Sequence, residues 1–183
     1  MNRRELIRNI SILTGAAFLG SDLFLVGCKS NRENNFNKED IFFLDEVAET
    51  IIPKTNTPGA KEAAVGKFIA LYATDCYSEA DRKILFEGIS KLNEVSNSKY
   101  GKDFIESTNL QKQELLMIID TEAKNHNNQK SQPSIHYFTM MKQLTLLGFF
   151  TSEFGATQVL RYNPIPGKYE GCVPYKKGET SWA

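Results

Sequence analysis

Residues 135–154 read Ile-His-Tyr-Phe-Thr-Met-Met-Lys-Gln-Leu-Thr-Leu-Leu-Gly-Phe-Phe-Thr-Ser-Glu-Phe. Wound into a helix, this stretch puts Tyr137, Phe138, Met140, Met141, Leu144, Leu146, Leu147, Phe149, Phe150 and Phe154 on nearly every side. A surface helix carries one apolar stripe; a helix apolar all round sits at the centre of a core or is partly covered by a partner. The segment is therefore expected to form the middle of the fold. Gly148 and Gly155 would let another backbone come close or end the helix.

Upstream, four shorter patterns repeat at helical spacing. Asn37 with Asp40 is a helix start, followed by Ile41, Leu44, Ala48 and Ile51 on one face with Phe42 and Val47 alongside. Pro53 ends that helix, because the residue before a proline is pushed out of the α region. Val65, Phe68, Ile69 and Tyr72 mark a second helix, and Ser78 with Asp81 starts a third through Leu85, Ile89, Leu92 and Val95 to Tyr100-Gly101. A fourth begins near Thr108 and carries Leu115, Leu116, Ile119 and Ala123. Asn125–Ser134 reads as a polar linker holding His126. No stretch alternates with period two. The expected fold class is all-α: a small helical bundle, with an irregular Pro/Gly/aromatic segment over 161–183 packed on it.

The N-terminus reads as an address. Met-Asn-Arg-Arg-Glu-Leu-Ile-Arg opens the chain with a base-rich run, and a mostly apolar stretch follows from Ile10 to Val26. Ser11, Thr14, Gly15, Gly20, Ser21 and Asp22 interrupt it, which disfavours a membrane span of about 20 apolar residues. Arg3 and Arg4 resemble the pair of a twin-arginine export signal. Leu25-Val26-Gly27-Cys28 resembles a bacterial lipobox, which implies cleavage before Cys28 and acylation of that residue. The expected organisation is an export signal over 1–27, a flexible tether over 28–37, and a helical domain over 38–183. The expected location is the bacterial cell envelope, periplasm-facing and held to a membrane by lipid.

Composition limits the chemistry. The 183 residues hold 22 Lys+Arg and 22 Asp+Glu, and without residues 1–27 the balance is 19 against 20. That neutrality argues against a nucleic-acid partner. No G-x-G-x-x-G, G-x-x-x-x-G-K-[ST], H-E-x-x-H, C-x-x-C-H or G-x-S-x-G pattern occurs. No residue is assigned a catalytic, cofactor-binding or metal-ligating role. His136, at the head of the apolar helix, is read as a cap or a satisfied core histidine before a general base. Beyond Cys28, Cys76 and Cys172 are a candidate disulfide pair in an oxidising compartment, or two free thiols.

Glu49-Thr50-Ile51-Ile52-Pro53-Lys54-Thr55-Asn56-Thr57-Pro58-Gly59-Ala60 resembles the signature of the gluconate 2-dehydrogenase subunit 3 family. Leu146–Gly155 and Tyr162–Cys172 extend the likeness, which is weakest over Ser78–Ser134. The resemblance implies a cofactor-free small subunit of a membrane-associated sugar or sugar-acid dehydrogenase, related forms including glucoside 3-dehydrogenases. Its implied partner is a large FAD-bearing flavoprotein of the glucose–methanol–choline type, with a cytochrome c subunit carrying haem c as an electron acceptor in some complexes. The small subunit would export, stabilise and tether that partner. The candidate interface is the loop with Pro53, Pro58 and Gly59 together with the tail residues Tyr162, Pro164, Pro166, Tyr169 and Tyr175. The competing expectation is a stand-alone lipoprotein holding a small ligand in its helical core.

Overall fold

Asn37 starts the first helix with a reciprocal cap. Its side chain accepts the Asp40 N–H at 2.8 Å, and the Asp40 carboxylate accepts the Asn37 N–H at 2.8 Å. The computed structural model describes residues 36–128, 134–165, 167–168, 171–174 and 176–182. Among them run α1 (Lys38–Ile51), α2 (Val65–Cys76), α3 (Glu79–Tyr100), α4 (Asn109–Asn128) and α5 (Tyr137–Phe150), followed by a π-helical turn, Gly155–Val159. Ser78 caps α3 by accepting the Asp81 N–H at 3.2 Å, and Gly101 closes it in the left-handed conformation. No strand occurs among the described residues; the one β-bridge joins Arg161 to Trp182. The fold is all-α.

Helix α5 is central. It packs against α1, α2, α3 and α4, and it buries Tyr137, Phe138, Met140, Met141, Leu144, Thr145 and Phe149. Gly148 permits one of these contacts: a Cβ there would come within 2.5 Å of the Phe68 ring on α2. Around α5 the other helices contribute Phe43, Leu44 and Val47 from α1, Val65 and Ile69 from α2, Leu85 and Leu92 from α3, and Leu115 and Ile119 from α4. Phe104, in the α3–α4 turn, is wholly inaccessible and packs on Phe43 with ring centroids 5.5 Å apart. The last two turns of α5 keep one open strip, Leu146, Leu147 and Phe150.

Two local readings change. On α1 the inward ring is Phe43, while Phe42 is exposed with the Lys61 ammonium 4.8 Å above it. The supposed linker from Asn125 is helical as far as Asn128. The Asn127 side chain secures this end of α4, accepting the His136 N–H at 3.1 Å and donating to the Thr139 hydroxyl at 2.7 Å.

The centrality of α5 sets an expectation for point substitutions. Met141→Ala should cost about 2–5 kcal/mol, as for any large core residue truncated without collapse. Leu146→Ala, on the open strip, should stay within about 0.5 kcal/mol of wild type. Equal losses in a urea titration would show that α5 is not the centre of the core.

Candidate functional site

Asp45, Glu46 and Glu49 lie on one face of α1, and each carboxylate is engaged by another part of the chain. Glu49 accepts the Lys54 N–H at 2.9 Å through Oε1 and the Lys61 N–H at 2.8 Å through Oε2, so one side chain holds both ends of the loop after α1. Gly59 is buried against that carboxylate, and a Cβ there would run into it. Asp45 accepts the Gly66 N–H at 2.7 Å and so fixes the first turn of α2, where the anion also meets the positive helix end. The α2 cap itself has no side-chain bond, and Ala64 stands there in the left-handed region at φ 52.

Glu46 joins two ammonium groups, Lys61 at 2.5 Å and Lys112 at 2.8 Å. Lys112 arrives from α4 and is nearly enclosed, with its side chain 7% exposed and its ammonium 5.5 Å from the Phe104 ring centroid. Burial pushes the Glu46 carboxyl up, but the hydrogen bonds from Lys112 and Lys61 outweigh it and hold the group below its ordinary value. Asp45 moves the other way: burial dominates and raises it, against the Gly66 N–H and Lys61. Glu46 thus adds stability above the unfolded carboxylate range near about pH 4.3, lost as the pH falls below it. Sequence reading missed Lys112, because a lysine on a polar helix face gives no local sign of burial.

The candidate interface residues separate into two groups. Pro53 is exposed at the head of the loop; Pro58 is half-buried and Gly59 buried, both turned inward. On the tail Tyr162 and Pro164 are exposed, whereas Pro166, Tyr169 and Tyr175 lie outside the described residues. The tail is tied to its own root: the Arg161 N–H donates to the Ser181 carbonyl at 2.8 Å, and the Arg161 guanidinium stacks 3.7 Å from the Trp182 ring centroid. Its described residues from Tyr162 to Trp182 are exposed. Cys76 and Cys172 are free, exposed thiols. Arg3, Arg4 and Cys28 lie outside the described residues.

Large apolar side chains are also exposed on two helices: Leu71 (59%), one turn beyond Phe68 on α2, and Leu147 (42%) and Phe150 (39%) on α5, the Phe150 ring meeting Phe149 with centroids 5.3 Å apart. No group of three His, Cys, Asp or Glu among the described residues is arranged to hold a metal ion. His126, expected in a polar linker, meets His136 edge to face with ring centroids 5.3 Å apart.

A family model described as gluconate 2-dehydrogenase subunit 3 matches residues 38–167. The chain belongs to this family. No curated protein and no solved structure matches it. As a subunit 3 protein it is an accessory subunit of a dehydrogenase complex, with a dehydrogenase as its partner. The stretches that resemble the family are architectural where they turn inward: Glu49 and Gly59 make the loop clamp, and Gly148 seats Phe68. Gly155 has the same standing, since a Cβ there would strike the Phe149 carbonyl. The outward residues of the same stretches, Leu146, Leu147 and Phe150, are exposed.

The Glu46–Lys112 pair can be tested by removing one charge or both. Glu46→Ala leaves the Lys112 ammonium enclosed without its anion and should cost about 3 kcal/mol, the low end for a buried pair because Glu46 keeps some contact with water. Adding Lys112→Met should recover most of that loss. A double variant as unstable as the single one in guanidinium titration would show that the buried charge is not the source.

Proposed function

We propose that this chain is the non-catalytic small subunit of a membrane-associated, FAD-dependent sugar or sugar-acid dehydrogenase. It binds a large flavoprotein of the glucose–methanol–choline type and holds it at the cell envelope. In this reading FAD resides in the large subunit, and electrons leave through a further acceptor such as a cytochrome c subunit. The twin-arginine-like start with Arg3 and Arg4 exports the folded complex, and acylated Cys28 anchors it on the periplasmic side. The carrying observation is the family match over residues 38–167 on a bundle whose central helix leaves apolar side chains uncovered.

The exposed apolar seam along α5, Leu146, Leu147 and Phe150, is the best-suited docking surface, because interface energy concentrates on large apolar anchors shielded from water. Pro53, Tyr162 and Pro164 are exposed and suit its rim. Gly59 is buried against the Glu49 carboxylate and Pro58 is half-buried, so both suit the rim less well than Pro53.

Purification of the tagged full chain from native membranes is expected to bring down a yellow flavoprotein in roughly stoichiometric amount. Leu147→Asp with Phe150→Asp should abolish that association and leave the melting temperature within a few degrees of wild type, since both positions face water in the isolated chain. Recovery of a colourless single chain from wild-type membranes would overturn the subunit reading. Unchanged association in the double variant would overturn the seam.

A further inference from the structure

His136 caps the central helix with a nitrogen that can serve only while unprotonated. The Phe138 N–H donates to His136 Nδ1 at 3.2 Å, at the first turn of α5. This bond fixes the tautomer: Nδ1 presents its lone pair and Nε2 carries the hydrogen, which faces Glu122 Oε1 at 3.9 Å. The ring is enclosed, 8% exposed, and lies between His126, with centroids 5.3 Å apart, and Tyr137 at 4.3 Å. The same residue is also the seam of two helices, because its backbone N–H donates to the Asn127 side chain at the end of α4.

We propose that His136 is a proton-operated latch at the α4–α5 junction. Uptake of a proton turns Nδ1 from acceptor to donor, releases the Phe138 N–H and opens the first turn of the central helix. Two effects act together: the cap bond is lost, and a cation is left at the positive end of α5. The charged and titratable groups around the imidazole are Glu122 and His126 from α4, Lys91 from α3 and Tyr137 from α5. Burial holds the His136 imidazole below its ordinary value; Glu122 opposes this, while His126 and Lys91 add to it. Glu122 is 65% exposed, so water screens its pull. Tyr137 is pushed up to about 12 by burial and stays neutral throughout. The unfolded chain therefore takes up the proton first as the pH drops below about 6.5, and the cap weakens from there downward.

A metal site is the competing use of two histidines and a carboxylate at one place, and the cap bond argues against it. A neutral imidazole whose Nδ1 accepts a hydrogen bond has its hydrogen on Nε2, the atom that would have to bind the ion.

The test is amide hydrogen exchange by NMR on the full chain, corrected for intrinsic rates, with histidine ring shifts recorded in parallel. Protection of the Phe138 amide is expected to fall about 5- to 30-fold between pH 7.5 and 5, the scale of one lost N-cap, with a midpoint matching the His136 titration. In His136→Asn, which caps without titrating, protection should be flat over that range. Protection that stays constant in wild type, or falls equally in the Asn variant, would overturn the latch. Should that variant not fold, the wild-type ring shifts decide: an Nδ1–H tautomer at neutral pH, or a midpoint unrelated to that of the Phe138 amide, refutes it.

Discussion

One helical face of α1 carries three carboxylates, and three other parts of the molecule are fastened to it. Glu49 takes two backbone N–H groups at the two ends of the following loop, Asp45 takes the head of α2, and Glu46 takes the buried ammonium of Lys112 on α4. Hydrogen bonds to charged acceptors are worth about 1.5–3 kcal/mol each, so the set outweighs the entropy of fixing a short loop. The constraint is geometric as well as energetic. With the loop fixed, α2 lies where Phe68 can fill the space above Gly148 on α5.

That arrangement gives the family signature a physical meaning. Glu49, Gly59, Gly148 and Gly155 resist replacement because their sites have no room or because their carboxylate is shared. The architecture seats α5 among the other four helices and leaves Leu146, Leu147 and Phe150 exposed on its outer side.

Much of this was readable from local pattern. Asn37 and Ser78 were legible as caps because a cap is decided within four residues, and the central place of α5 followed from an apolar content that no single stripe could hold. The role of Glu49 was not legible, although the residue opens the recognised motif, because its partners become neighbours only after the chain turns. Lys112 was harder still: its anion lies 66 residues away, and nothing beside it marks burial. Phe42, read beside the core face, turns outward because neighbouring residues differ by about 100° on a helix; Phe43 takes the core and the Lys61 ammonium sits over the outer ring. The His126–His136 contact depended on Asn127 prolonging a helix through a segment that looks like a linker.

The most direct test of the α1 clamp is amide exchange at Lys54 and Lys61 in wild type and in Glu49→Ala. Both amides lie at exposed residues yet donate to one carboxylate. They should be protected in wild type and lose protection together in the variant, while Val47 and Ala48 in the middle of α1 keep theirs. If the two amides exchange in wild type as fast as in an unstructured peptide, or if the variant leaves them unchanged, the clamp does not hold the loop and the account fails.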